Sequence, residues 1–368
     1  MKFSFNNPVD IRFGRNVLKN NPGSLSLGKK AFIVTGSSSG RKSGALADAE
    51  VELRACDIQY QIFEGIKNNP NVDQCRELAI SASEFGADFI IGIGGGSPLD
   101  AAKAVAVFST NPCLTNEKLF MNEFDTPPLP IAAIPTTSGT GSEVTPWSIM
   151  TWDEFNSKKS FGNLYTYPKI ALLDPSYTDS LPKDVTLFTA LDAFSHCFES
   201  FLSLKASPYT DAVNLYALSR FSKCMDPLER GELKDIRDDL MLVSLLGGVA
   251  ISQTGTTMMH AMGYQLTYYY GQPHGKANAI VMPVYLEEAA KYVPDKLTAA
   301  LSAMGLSRNQ LSSFLERNIP ADFNIKSNEP AFWGKLAMKQ GSVKNLPILV
   351  DCDYFTALYE RIFKSRIV

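Results

Sequence analysis

The chain has 368 residues, of which 45% are hydrophobic and 20% charged, a balance that suits two globular domains of ordinary size. A formal net charge of -3 gives no overall electrostatic case for nucleic acid or an anionic membrane as a partner. No apolar run approaches the ~20 residues of a membrane span. The opening MKFSFNNPVDIRFGRN also lacks the apolar core of a secretory signal, so a cytoplasmic location is expected.

The first half alternates strand and helix signals. Lys30 to Thr35 is a short apolar run that ends in glycine, and Ile58 to Phe63 is a second; both read as strands. Val72 to Phe85 has helical spacing and stops at Gly86. Asp88 to Ile93 is a third strand, Ser97 to Phe108 an Ala-rich helix, and Leu129 to Ile134 a fourth strand. This order predicts a parallel sheet with helices on both faces. Beyond about Pro182 the strand signals fade. Asp184 to Ser203, Asp211 to Lys223, Leu233 to Ser252 and Asn278 to Tyr292 all read as helices, and the tail beyond Pro294 gives helix signals without evident chemistry. Two domains are expected: an α/β domain over residues 1–180 and an all-helical domain over 181–368.

Six cysteines, at positions 56, 75, 113, 197, 224 and 352, form no C-x-x-C pair and read as reduced thiols. Histidine is used sparingly: the three in the chain, His196, His260 and His274, all lie in the second half.

Three loops carry the case for a nucleotide. In Ile90 to Asp100 (IIGIGGGSPLD), Gly94, Gly95 and Gly96 let the backbone turn sharply and approach a ligand. Ser97 is expected at the N-cap and Pro98 at the first helical position, leaving free N–H groups and a helix dipole for a pyrophosphate. Neither standard nucleotide fingerprint is present. The fourth strand runs into PTTSGTGSE, with Thr136, Thr137, Thr140 and Ser142, at the strand end where open α/β sheets bind ligands. The first strand leaves through Gly36, Ser37, Ser38 and Ser39 into Arg41 and Lys42. Hydroxyls and cations there suit a ribose 2′-phosphate better than a free 2′-hydroxyl, so NADP(H) is favoured over NAD(H).

Asp192 and His196 are four apart on an apolar helix and share one face. His274, between Pro273 and Gly275, is positioned to present its ring from a turn. With His260 these residues make a three-His, one-Asp set suited to Fe(II) or Zn(II).

Together these motifs resemble the iron-containing (group III) alcohol dehydrogenases, over roughly residues 90–285: GGGSPLDAAKA, PTTSGTGSEVT, the Asp192–His196 helix, and His260 with His274-Gly275. The resemblance implies a Rossmann-like α/β domain followed by an all-α domain, the dehydroquinate synthase-like fold, and homodimers. It implies a metal, Fe2+ with Zn2+ as alternative, on Asp192, His196, His260 and His274. It implies cofactor contacts from Gly95, Gly96, Ser97, Thr136, Thr137 and Ser142, with Asp100 on the cofactor side and Lys158 near the ribose. The expected reaction is hydride transfer between NAD(P)H and a small aldehyde or alcohol.

Two departures stand out. Where many members carry a further histidine after the third ligand, this chain has Tyr264, which either donates a proton or shapes the pocket. After His274-Gly275 comes Lys276, a cation that suits an anionic aldehyde. Trp147, Gln253, Tyr264 and Tyr268 are pocket candidates by nearness to the motifs. The competing readings are a metal-free reductase of the maleylacetate reductase type, a dehydroquinate synthase-like lyase, and a non-catalytic nucleotide-binding scaffold. The retained ligand set argues against the first and last, and the missing Lys- and Arg-rich substrate constellation against the lyase.

Overall fold

The computed structural model describes residues 2–152, 154, 157–319 and 321–368. The chain divides into two compact units. One is Asn7–Leu181; the other is Pro182–Val368 together with the leading residues through Asn6.

The first unit holds strands β1 (Asp10–Phe13), β2 (Lys30–Gly36), β3 (Gln59–Ile66), β4 (Phe89–Gly94), β5 (Ile131–Pro135), β6 (Ser148–Trp152), β7 (Ser157–Phe161) and β8 (Ile170–Leu173). Six of them form an all-parallel sheet in the order β1-β8-β5-β4-β2-β3, while β6 and β7 make a separate antiparallel hairpin. The central strands are apolar without alternation because both sheet faces are covered. Along β2, Phe32 and Val34 enter the core beneath the helices Val72–Phe85 and Gly96–Thr110, whereas Ala31 and Ile33 enter the core beneath the helix Ala45–Ala55. Chain order reverses between β2 and β4, which makes their shared C-terminal edge a topological switch point. Register aligns that edge: Thr35 pairs with Ile93 and Gly94 with Pro135, so the loops after β2, β4 and β5 leave side by side.

The sequence reading missed β1, β8 and the hairpin. β1 and β8 have four residues each, and β1 is largely exposed, so neither builds a legible periodicity.

The second unit is helical: Lys183–Leu202, Pro208–Arg230, Arg237–Thr254, Met258–Tyr270, His274–Tyr292, Pro294–Met304, Arg308–Asn318, Glu329–Met338 and Cys352–Ile362 are its longer helices. Phe194 stacks on Phe221 with ring centroids 4.5 Å apart at the centre of its core. Glycine sets the closest approach of two of these helices. A Cβ on Gly275 would lie 1.8 Å from the Phe188 carbonyl oxygen, so only glycine brings the start of His274–Tyr292 against Lys183–Leu202. No single described helix is long and apolar enough to cross a membrane.

Candidate metal centre and nucleotide cradle

In the helical unit, three helices bring four candidate ligand side chains close together. Asp192 and His196 come from Lys183–Leu202, His260 from the first turn of Met258–Tyr270, and His274 opens His274–Tyr292. His274 is therefore the first residue of a helix with Pro273 as its N-cap, not a turn residue as its Pro and Gly neighbours suggested. Proline's fixed φ ends the preceding loop there, and Gly275 lets the new helix begin in contact with its neighbour.

Asp192 Oδ1 lies 3.8 Å from His196 Nε2, 3.8 Å from His260 Nε2 and 3.7 Å from His274 Nε2. His196 Nε2 and His260 Nε2 are 3.1 Å apart. The ligating atoms of Asp192, His260 and His274 all lie within 4.8 Å of one another. A tetrahedral ion with bonds of about 2.1 Å needs ligand edges of about 3.4 Å, so these separations bracket the requirement. Three imidazoles and one carboxylate fit Fe(II) or Zn(II).

The set is dry on three sides. Asp192, His196 and His260 are buried, while the His274 side chain retains 30% exposure and marks the open side. Burial alone would raise the Asp192 pKa, but His196, His274 and His260, with the Asn278 amide, outweigh it and hold the carboxyl below its ordinary range. For His260, burial pushes the pKa down, and the adjacent Glu199 carboxylate more than reverses this.

Two residues around the ligands escaped the sequence reading. Glu199 is fully buried and bonded to His260 Nδ1. Asn278 Nδ2 donates to Asp192 Oδ1 at 3.1 Å and lies 3.2 Å from His260 Nε2 and 3.4 Å from His274 Nε2. Both had a signal. Glu199 follows Asp192 by seven residues and His196 by three, and Asn278 follows His274 by four, so each shares a helix face with a ligand.

Tyr264 stacks on the His274 ring (5.3 Å, 15°) and meets His260 edge-on (6.2 Å, 76°), so its ring walls two ligands. Lys276 does not face the ligands. Two residues past His274 is about 200° around the helix, and the ammonium of its largely buried side chain pairs with the exposed Asp322 at 3.2 Å. Gln253 is also engaged elsewhere: its amide accepts from the Asn6 N–H at 3.1 Å and donates to the Asn6 carbonyl at 2.8 Å. Tyr268 packs edge-on against Tyr269 at the surface.

In the α/β unit, the loop after β4 lies against the loop after β5. A Cβ on Gly94 would sit 2.6 Å from Pro98 Cγ, on Gly95 3.1 Å from Thr137 Oγ1, and on Gly96 2.7 Å from Thr140 Cγ2. Gly94 also has φ +148, which side-chain-bearing residues avoid. The helix starts at Gly96 with Gly95 as its N-cap, so Ser97 and Pro98 lie inside the first turn, two residues deeper than expected. Ser97 Oγ instead accepts the Asn69 N–H at 3.3 Å. The Thr136 and Ser138 hydroxyls are buried with no hydrogen-bond partner among the described residues. A backbone cradle stripped of Cβ atoms and rimmed by unsatisfied hydroxyls is chemistry suited to a dinucleotide's pyrophosphate.

Beneath the cradle lies a buried polar cluster. Lys103 Nζ donates to the Ser142 carbonyl (2.8 Å), the Ser142 hydroxyl (2.7 Å) and the Trp147 carbonyl (2.6 Å). The Ser142 hydroxyl donates to Asp100 Oδ1 at 2.6 Å, and the Ile149 N–H to Asp100 Oδ2 at 3.0 Å. Asp100 and Ser142 are therefore tied to each other and to Lys103. Burial lowers the Lys103 pKa to about 8 against the pull of Asp100 and Glu143, and raises the Glu143 carboxyl to about 7. Lys158, on β7, donates to Asn69 Oδ1 at 2.6 Å; burial lowers its pKa to about 8 against the pull of Asp100.

At the switch point, a Cβ on Gly36 would meet Ser39 Oγ at 2.8 Å and Pro98 Cγ at 3.7 Å, so the loop after β2 adjoins the cradle. Ser37 is exposed there and Ser39 opens a short helical turn, Ser39–Lys42. Arg41 forks onto Glu64, its Nε 2.8 Å from Oε2. That acid arrives from β3 opposite Thr35, and a reading of the loop sequence alone did not see it.

The chain is similar to known proteins along most of its length. The family described as iron-containing alcohol dehydrogenase matches residues 8–175, and the Fe-containing alcohol dehydrogenase family, C-terminal, matches residues 186–363. The sulfoacetaldehyde reductase of Bilophila wadsworthia is 35% identical over 378 residues, covering 96% of each chain. The lactaldehyde reductase of Escherichia coli is 30% identical over 79% of this chain and 76% of its own. The crystal structure of an iron-containing alcohol dehydrogenase from Thermotoga maritima superposes with a TM-score of 0.91 at 34% identity, over 99% of this chain and all of that one.

Proposed function

The chain belongs to the iron-containing alcohol dehydrogenase family, and from that premise we propose that it reduces small anionic aldehydes with NADP(H). It is a nicotinamide-dependent oxidoreductase of the alcohol dehydrogenase class. The observation that carries the reading is the convergence of Asp192, His196, His260 and His274 from three helices at ligand spacing.

These four side chains would hold the metal, Fe2+ before Zn2+, whose part is Lewis-acid polarisation of a carbonyl oxygen. The rest is the work of the chain's own residues. Burial of Asp192, His196 and His260 keeps water from three sides of the site, so charge developing on a substrate oxygen is stabilised in a medium of low polarity. Tyr264, flat against His274, fixes that ring and shapes the wall beside it. Gly94, Gly95, Gly96, Ser97, Thr136, Thr137 and Thr140 would seat the cofactor's phosphates, with Asp100 and Ser142 bracing the loops and Lys158 near the ribose. Seating the cofactor in one orientation supplies much of the rate in a hydride transfer.

NADP(H) is favoured because Gly36, Ser37 and Ser39 lead into Arg41 and Lys42; Glu64 takes up one edge of the Arg41 guanidinium, which leaves Lys42 and the remaining amino group for a 2′-phosphate. The anionic class rests on similarity to the sulfoacetaldehyde reductase, not on Lys276, which Asp322 occupies. Six free cysteines fit a reducing cytoplasm, and we place the enzyme there, working as a homodimer.

The test is steady-state oxidation of NADPH and NADH after anaerobic loading with Fe2+, over a panel spanning propanal, butanal, and sulfonate- and carboxylate-bearing aldehydes. A charged aldehyde with NADPH should give the highest kcat/KM, and Lys276→Met should leave the charged-to-neutral ratio unchanged. Equal turnover of charged and neutral aldehydes rejects the anionic class, and a clear NADH preference rejects the cofactor assignment.

A further inference from the structure

We propose that Glu199 is a positioning residue that fixes the tautomer of His260, and so sets how strongly His260 can ligate a metal; this rests on the ligand set described above. The carboxylate is fully buried, and its two oxygens have separate duties. Oε1 accepts the Met259 N–H at 2.6 Å, the His260 N–H at 3.4 Å and the Thr257 hydroxyl at 2.9 Å. It thereby serves donors at the N-terminus of Met258–Tyr270 that the helix itself leaves unpaired. Among the described residues, Oε2 is left for His260 Nδ1. With Oε2 as the acceptor in this bond, Nδ1 is the donor. The proton of the neutral imidazole is then on Nδ1, and the lone pair is on Nε2, the atom 3.8 Å from Asp192 Oδ1 and 3.1 Å from His196 Nε2.

The alternative is a purely structural role as a helix cap, and glutamine separates the two. In Glu199→Gln the side chain keeps its shape. The oxygen must stay with the backbone N–H groups and the Thr257 hydroxyl, because an NH2 group there would face donors. The NH2 group then points at His260 Nδ1, which can meet it only as an acceptor. That moves the ring proton to Nε2 and blocks the ligating lone pair. The cap survives and the ligand is weakened.

The experiment titrates metal-stripped protein with Zn2+ against a chromophoric chelator, and records the thermal midpoint of the stripped protein. Asp192→Asn serves as the ligand-loss control, and Thr257→Val, which removes one hydroxyl donor to Oε1 but leaves both backbone N–H bonds, as the control for disturbance at the helix start. Glu199→Gln should weaken Zn2+ binding by at least tenfold, within the range for loss of an outer partner. Its stripped-state melting should match wild type, and Thr257→Val should bind Zn2+ within threefold of wild type. An unchanged Zn2+ affinity in Glu199→Gln overturns the proposal. So does an equal loss in Thr257→Val, which would show that only loosening of the helix start matters. If Glu199→Gln does not fold, Glu199→Asp decides: it keeps the charge but draws the carboxylate back from His260. Tenfold weaker binding is then expected, and unchanged binding overturns the proposal. A wild-type chain that takes up no Zn2+, or an Asp192→Asn variant that binds it normally, sinks the metal reading itself and this inference with it.

Discussion

Replacing Lys103 with methionine should destabilise the α/β unit by about 3–5 kcal/mol, the range for breaking a buried ion pair from one side. The size follows from what the ammonium does. It is fully buried and makes three hydrogen bonds of 2.6–2.8 Å, to two carbonyls and a hydroxyl. Methionine fills most of the volume but donates nothing, and each stranded carbonyl costs roughly 1–3 kcal/mol. Asp100, 3.9 Å from the ammonium, also loses its compensating charge. Urea unfolding followed by tryptophan fluorescence and circular dichroism measures the loss. With a slope of about 2 kcal/mol/M, the midpoint should fall by about 2 M. Asp100→Asn in the same chain should return part of the loss, because no unpaired carboxylate then remains buried, giving a coupling of about 1 kcal/mol or more. A loss below about 1 kcal/mol, or strict additivity of the two substitutions, would refute the account of Lys103 as the charge that ties the loop after β5 to the helix beneath it.

The fully buried Glu143 has its pKa raised, chiefly by burial, to about 7 from an ordinary 4.5. The folded state then binds more protons than the unfolded state between those values, so this group's contribution is full below about pH 4.5 and is lost as pH rises through about 7. Unfolding free energies from pH 4.5 to 7.5 should show a falling component on the order of 2–3 kcal/mol that Glu143→Gln abolishes; the same slope in that variant would discount it. At the cradle, Gly95 has φ -76, so alanine is tolerated by the backbone, and its Cβ would meet only the Thr137 side chain at 3.1 Å. Gly95→Ala should change stability by less than about 1 kcal/mol yet weaken NADPH binding at least tenfold by calorimetry, and an unaltered Kd would remove the loop from the cofactor site.

Much of this protein is legible in its sequence. Uninterrupted apolar runs such as Phe89 to Ile93 announce strands buried on both faces, and the fading of such runs after Pro182 announces the helical part. Asp192 and His196 declare themselves as a pair because helical periodicity alone puts residues four apart on one face. The glycine triplet before a capped helix is equally local. At the nucleotide loop the local reading slipped by two residues: Gly95 rather than Ser97 caps the helix, and Pro98 lies within the first turn.

Other assignments are beyond any local reading. That Lys276 points away from the ligands depends on where Asp322 lies, 46 residues later. That Arg41 is held by an acid depends on β3 lying beside β2. That Glu199 touches His260 depends on two helices meeting across 61 residues of chain. Periodicity and turn chemistry are written in neighbouring residues, so sequence determined most of the elements, the candidate ligand types and the glycine- and hydroxyl-rich loops. The partner of a side chain is set by which elements pack together, and packing is a property of the whole core, so the tertiary structure alone decided which charges are paired and which ring nitrogen faces inward.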